Sequence, residues 1–160
     1  QEMEANPGMG FIGAEPFVNG MAAFLDSIEA SPKENIRVYM DDAMTVVDAL
    51  ADALLDGIYI LNPDPWPKKR HWKRRIVQPE HVEKFVRVLK PGCKLIMTTD
   101  IDPLAEWMLT HAINNPALRW TADKPEDWQT PPPGWSPTKY ERKGAAKGRR
   151  QTYLVFERRG

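Results

Sequence analysis

The sequence predicts an α/β fold built on a mostly parallel sheet, with helices on both faces. Short apolar runs rich in β-branched and aromatic residues alternate with segments of helical periodicity, from Phe11 to the last strand at Thr152–Arg158. That order gives parallel strands joined by right-handed crossovers. An acid also follows four successive strand candidates: Glu15, Asp42, Asp64 and Asp100. In open α/β sheets ligands bind beyond the carboxyl ends of the strands, so acids collected on that edge point to a working crevice.

Bulk properties narrow the class. The 160 residues are expected to form one domain, 1–160, large enough to bury a respectable core. No apolar run reaches the roughly 20 residues needed to span a bilayer. The single cysteine, Cys93, excludes an internal disulfide, and His71, His81 and His111 lack zinc-ligand spacing. A cytoplasmic, metal-free protein is expected. The net charge of zero hides a division: residues 1–67 carry 12 acids and 2 bases, residues 68–160 carry 10 acids and 20 bases. A polyanion-binding surface in the C-terminal half follows, unless folding intersperses the two.

Gln1 to Gly10 reads as a loop around Asn6-Pro7-Gly8. Phe11 to Glu15 reads as a short buried strand ending in an acid, and Val18 to Ile28 as a helix with Met21, Leu25 and Ile28 on one face. An acid at that strand end suits the ribose hydroxyls of a nucleotide cofactor, and serves equally as a cap for the following helix. Ser31-Pro32 closes the helix. Ile36 to Met40 is the next strand, followed by Asp41-Asp42-Ala43 and a helix from Met44 to Leu55. Either aspartate can cap that helix, leaving the other for a ligand.

Gly57 to Leu61 reads as a buried strand. Pro63, Pro65 and Pro67 then forbid helix and sheet pairing, so the chain leaves in a stiff extended loop. Asp64 sits where the strand stops, and Lys68, Lys69, Arg70, Lys73, Arg74 and Arg75 follow, with His71 and Trp72 among them. This joins a carboxylate to a phosphate-binding arm with an aromatic suited to stacking on a base. An acid at a strand end is also an ordinary turn former, and a basic run is often a solvated face.

Gln78 to Leu89 reads as a helix with Val82, Phe85, Val86 and Leu89 at core spacing, ended by Lys90-Pro91-Gly92 with the glycine as left-handed cap. Lys94 to Thr99 is a strand before Asp100. A helix opens at Pro103 and runs to Asn114, with Leu104, Trp107, Met108 and His111 along one side. Residues 123–137 are proline-rich and read as irregular. Thr138 to Glu141 leads into a glycine- and alanine-spaced basic run, Arg142 to Arg150, that reads as flexible.

The run from Pro63 to Arg75 closely resembles the signature of the bacterial tRNA (guanine-N7-)-methyltransferases. The resemblance extends to Phe11–Glu15, Asp42-Ala43, Leu89–Gly92, Thr99-Asp100 and Thr138–Glu141, in order along nearly the whole chain. It implies a Rossmann-like class I S-adenosylmethionine-dependent methyltransferase fold and methyl transfer to N7 of a guanine in the tRNA variable loop. Carried over residue by residue, it makes Asp64 the active-site residue and a cofactor contact, and Glu15 and Asp42 cofactor-binding acids. It makes Lys68, Asp100, Thr138, Lys139, Tyr140 and Glu141 substrate contacts. Arg70, His71, Trp72, Lys73, Arg74 and Arg75 become the RNA-binding run. The chemistry agrees: guanine N7 already carries an in-plane lone pair, so no strong base is needed and a carboxylate suffices to oppose the developing charge.

The resemblance also implies a first strand and glycine-rich turn upstream of residue 1, and Gly8-x-Gly10 is in the wrong place to supply them. An N-terminally incomplete version of the fold is therefore expected. Two other classes stay open. A non-catalytic RNA-binding module leaves the strand-end acids idle, and a nucleotide-cofactor enzyme of another class leaves the basic arm unexplained.

Overall fold

The computed structural model describes residues 6–160 and divides into a first unit ending at Leu50 and a second unit, Ala51–Gly160. The part of the expected opening loop ahead of Asn6 lies outside the described residues.

In the first unit, strand β1 (Phe11–Ala14) is followed by helix α1 (Val18–Ala30), strand β2 (Ile36–Tyr39) and helix α2 (Ala43–Ala49). The two strands pair in parallel, Phe11 opposite Ile36 through Ala14 opposite Tyr39, with α1 as the crossover. The expectation of a buried first strand is corrected, since Ile12 is exposed and a two-stranded sheet leaves much of its surface open. On α1 the covered side runs through Met21, Phe24 and Ile28, and Leu25 turns outward. Helix α2 stops well short of Leu55. Ala53 takes a left-handed φ of 49°, and the amides of Ala53 and Leu54 bond to the carbonyls of Arg87 and Val88. Those tertiary bonds override helix propensity.

The second unit holds strand β3 (Leu55–Leu61), a 3₁₀ helix (Lys69–Arg74), helix α3 (Pro79–Val88), strand β4 (Leu89–Thr99) and helix α4 (Asp102–Ile113). Strand β5 (Leu118–Trp120), helices α5 (Glu126–Gln129) and α6 (Lys139–Ala145), and strand β6 (Thr152–Arg158) complete it. The sheet order is β3-β4-β6-β5. β3 and β4 are parallel, with Leu61 opposite Thr98, whereas β6 runs antiparallel to both β4 and β5. The sheet of this unit is thus mixed.

Its core is built from period: Val82, Phe85 and Val88 on α3, and Leu104, Met108 and Ala112 on α4, pack on Leu95, Met97, Leu154 and Phe156. Adjacent residues Leu95, Ile96 and Met97 are all buried, because β4 lies inside the sheet and is covered on both faces. β3 is covered on one side only, with Ile60 inside and Tyr59 and Leu61 exposed. Two further expectations are corrected. Helix α3 ends at Val88, with Leu89 already extended, so Gly92 (φ 76°) does not cap it. The glycine instead serves the slip in register that opens β4, where Leu55 faces Leu89 but Gly57 faces Lys94. The basic run after Thr138 is also not all flexible, since its first part is α6.

Among the described residues no helix is long and apolar enough to cross a membrane.

Candidate functional site

Parallel pairing places Glu15 and Asp42 beyond the same edge of the first unit's sheet. Both carboxylates are partly employed in holding the backbone. Glu15 Oε1 accepts from the Phe17 amide at 2.9 Å, and its side chain lies over Gly20, where an added Cβ would come within 3.2 Å of it. Asp42 Oδ1 caps α2 by accepting from the Met44 amide at 2.9 Å, while Asp41 accepts from the Asp42 amide at 2.8 Å. The cap is therefore Asp42.

In the second unit, the parallel pair β3 and β4 carries Asp64 and Asp100 beyond its shared carboxyl edge. Asp64 is exposed, on a loop bracketed by two left-handed residues, Asn62 at φ 47° and Trp66 at φ 41°. Both precede prolines, which favour extended backbone before them, and a tryptophan in this region is unusual. The loop is held from both ends. The Asn62 amide bonds to Thr98 O at 2.9 Å, and Gln151 Nε2 donates to Asn62 Oδ1 at 2.9 Å. From the other side, Arg75 Nε donates to Pro65 O at 2.9 Å and its Nη2 to Trp66 O at 3.4 Å.

The basic run is not a uniform solvated arm. It winds into the 3₁₀ helix, closed at its end by Gln78, whose amide donates to Trp72 O at 2.6 Å and Arg75 O at 3.1 Å. Lys68, Lys69, Arg70, Lys73 and Arg74 are exposed, and His71 is half-buried against the edge of Trp66 at 5.7 Å. Arg74 lies over the same Trp66 ring at 5.0 Å. Two of the six expected RNA contacts turn inward. Arg75 is 5% exposed, with its guanidinium 4.8 Å from the Trp72 ring and 4.7 Å from that of Trp107. Expected in the RNA-binding run, Arg75 instead spends its guanidinium on rings and carbonyls of the protein. Burial lowers its pKa, and the ring faces and carbonyl oxygens hold the cation in place. Trp72 packs edge-on to Trp107 at 5.2 Å, so it is a packing residue and not a free stacking platform.

Asp100 is bound on two sides. Arg149 Nη1 meets its Oδ2 at 3.1 Å, and Gly144 of α6 lies so close that a Cβ there would fall 2.7 Å from the same oxygen. Thr138 is the N-cap of α6, its hydroxyl accepting from the Glu141 amide at 3.1 Å while the Glu141 carboxylate takes the Thr138 amide. Glu141, 6% exposed, also accepts from Trp135 Nε1 at 3.0 Å. Burial, and then the hydrogen bond to Glu141, push the Tyr153 pKa up. Within Thr138–Glu141, Lys139 and Tyr140 are thus the exposed pair, and Glu141 is committed to the interior.

Sequence reasoning missed Asn62, Gln78, Trp107, Trp135, Gly144 and Gln151. Only the polar pattern Thr138-x-x-Glu141 carried a local signal, as a capping box.

A family profile described as "Putative methyltransferase" matches residues 2–154. A tRNA (guanine-N(7)-)-methyltransferase of Mesorhizobium japonicum is 50% identical over 153 residues, covering 96% of this chain and 66% of that protein. One of Rhizobium meliloti is 48% identical over the same share of each. The chain thus spans about two thirds of the length of the curated relatives it matches. Among solved structures, a methyltransferase homologue from Pyrococcus horikoshii superposes with a TM-score of 0.61 at 14% identity, over 93% of this chain and 53% of the other. The antibiotic-resistance methyltransferase Kmr gives 0.57 at 15% identity, over 99% and 80%. These likenesses show the Rossmann-like methyltransferase fold. With strand-end acids, the proline-bracketed Asp64 loop and a profile match over residues 2–154, the chain belongs to the methyltransferase family in which these relatives bear the name tRNA (guanine-N(7)-)-methyltransferase.

Proposed function

We propose that the protein methylates N7 of a guanine in the variable loop of tRNA, using S-adenosylmethionine. The observation that carries this reading is the junction after β3. There an exposed Asp64 carboxylate is followed at once by a 3₁₀ helix whose Lys68, Lys69, Arg70, Lys73 and Arg74 face solvent. An acid suited to a purine edge and a cationic surface suited to phosphates are thereby linked by a few stiff residues. The relatives' names support the same reading. Because the family profile runs through both units, we read 1–160 as parts of one methyltransferase domain.

The donor set fits the cofactor. Glu15 and Asp42 each commit one carboxylate oxygen to a backbone amide, and a carboxylate has further lone pairs for ribose hydroxyls or an adenine amino group. When bound, S-adenosylmethionine supplies an electrophilic methyl group on a sulfonium sulfur. Asp64 accepts hydrogen bonds from the guanine edge or from the cofactor's amino group, and its negative charge opposes the positive charge that grows on the purine. No residue has to remove a proton from N7, so the work of Asp64 is orientation and charge. Lys68, Asp100, Lys139 and Tyr140 contact the substrate. Arg70, His71, Lys73 and Arg74 hold the tRNA backbone. The protein acts as a monomer in the cytoplasm and takes no metal.

The test is transfer of labelled methyl from S-adenosylmethionine to tRNA by the protein extended to its relatives' length, with the product base identified. Labelled 7-methylguanosine is expected. RNA binding without transfer would support a non-catalytic module instead.

A further inference from the structure

We propose that Arg75 is a positioning residue: it staples the Asp64 loop to the protein and thereby sets the carboxylate, making no contact with RNA itself. The effect on turnover rests on the methyl-transfer reading above.

A basic residue at the end of a basic run reads as one more phosphate contact. Arg75 is placed otherwise. Its guanidinium sits in the corner formed by two edge-on rings, Trp72 of its own 3₁₀ helix and Trp107 of α4, at 4.8 and 4.7 Å. Trp107 is itself pinned by donating from Nε1 to Val77 O at 2.7 Å and by the His111 ring at 4.3 Å. The rings hold the cation in place, and its Nε and Nη2 donate to the carbonyls of Pro65 and Trp66, immediately after Asp64. Trp66 is also the residue with the left-handed φ of 41°. Such a conformation persists only where its surroundings over-determine it. Here they do: Arg75 holds the carbonyl, while Arg74 and His71 pack on the ring at 5.0 and 5.7 Å.

Lysine cannot replace this arrangement. Its ammonium is a compact, strongly hydrated point charge without a fork to reach two successive carbonyls. Loss of the staple should free residues 65–67 while the exposed lysines and arginines keep their charge. Turnover and RNA affinity should therefore separate.

The protein at its relatives' full length is compared with Arg75→Lys, Arg75→Met and Lys73→Ala. Both Arg75 variants are expected to be cut by trypsin after Lys68 to Arg70 roughly ten- to a hundredfold faster, the loss typical of hydrogen bonds from a charged donor. Their kcat should fall by about tenfold or more, since misplacing a reacting group is costly. KM for tRNA and the salt dependence of tRNA binding should stay put, and Arg75→Lys should fail to rescue. Lys73→Ala should do the reverse, raising KM and flattening the salt slope. In the unsubstituted protein the Arg75 Nε–H should exchange with solvent more slowly than those of Arg70 and Arg74, a measurement that needs no variant to fold. Arg75→Met that flattens the salt slope by about 0.7–0.9, as loss of a phosphate contact would, overturns the proposal. So does fast Nε–H exchange or unchanged proteolysis. If the unsubstituted protein transfers no methyl, the functional reading fails, and proteolysis and exchange decide the staple alone.

Discussion

Asp100 and Gly144 are in direct contact: a methyl group added at Gly144 would stand 2.7 Å from Asp100 Oδ2, closer than real Cβ atoms come. The missing side chain at position 144 lets helix α6 pack against the Asp100 carboxylate while that group keeps its ion pair with Arg149. Gly144→Ala gains up to about 1 kcal/mol of helix propensity. It forces an overlap worth about 1–3 kcal/mol. The net expectation is a lower melting temperature. In an Asp100→Ala background the overlap disappears, and the same change should stabilise. Thermal unfolding of the four-member cycle checks this, and additive effects would show that the contact does not constrain the helix.

Asp64→Asn removes one charge from an exposed loop and keeps the side chain's shape. Methyl transfer is expected to be abolished, with melting temperature and tRNA affinity unchanged, because the 3₁₀ helix supplies affinity independently. Near-normal turnover by Asp64→Asn would end the role given to that carboxylate.

Arg70 and Lys73 both face solvent on the 3₁₀ helix. If each holds a phosphate, alanine at both should flatten the slope of log affinity against log salt by roughly 1.5 units, at about 0.7–0.9 per contact. Binding titrations at several salt concentrations measure it, and an unchanged slope would reduce the pair to a solvated face.

Acid should weaken the second unit through His111. Its pKa is lowered below the usual 6.5, first by burial, with Arg75 adding to the effect and Glu80 opposing it. The folded state thus favours neutral imidazole, while the unfolded chain takes up a proton near pH 6.5. Stability from this group is present above that value and is lost as pH falls through it toward the lower folded pKa. Melting temperatures from pH 8 to 5 should fall less steeply in His111→Gln than in the unsubstituted protein. Parallel curves would remove His111 from the account.

Much of the site was legible because its signals are local. The prolines around Asp64 and the acids after each parallel strand carry their meaning within a few residues, and the strands ending at Ala14, Tyr39, Leu61 and Thr99 appear where apolar runs placed them. What was not legible depends on partners far along the chain. Arg75 looks like its neighbours until Trp107, 32 positions later, is folded against it. The three-residue β5 exists only because β6 returns beside it, and its own sequence, Leu118-Arg119-Trp120, is too short to show a period. The helix expected through Leu55 failed for the same reason, since carbonyls at the end of α3 claimed the amides of Ala53 and Leu54.

The order β3-β4-β6-β5 also bears on synthesis. Strand β6, made after β3, β4 and β5, lies in the interior of the sheet, between two strands made earlier. Until Thr152–Arg158 emerges, β4 shows an open edge and β5 has no neighbour to pair with. A nascent chain halted before Thr152 therefore exposes Leu95 and Met97 beside unsatisfied backbone groups, the kind of edge that recruits other chains. Closure of this unit must wait for β6, so the interval between its appearance and its docking is when the open edge of β4 is most exposed to wrong partners.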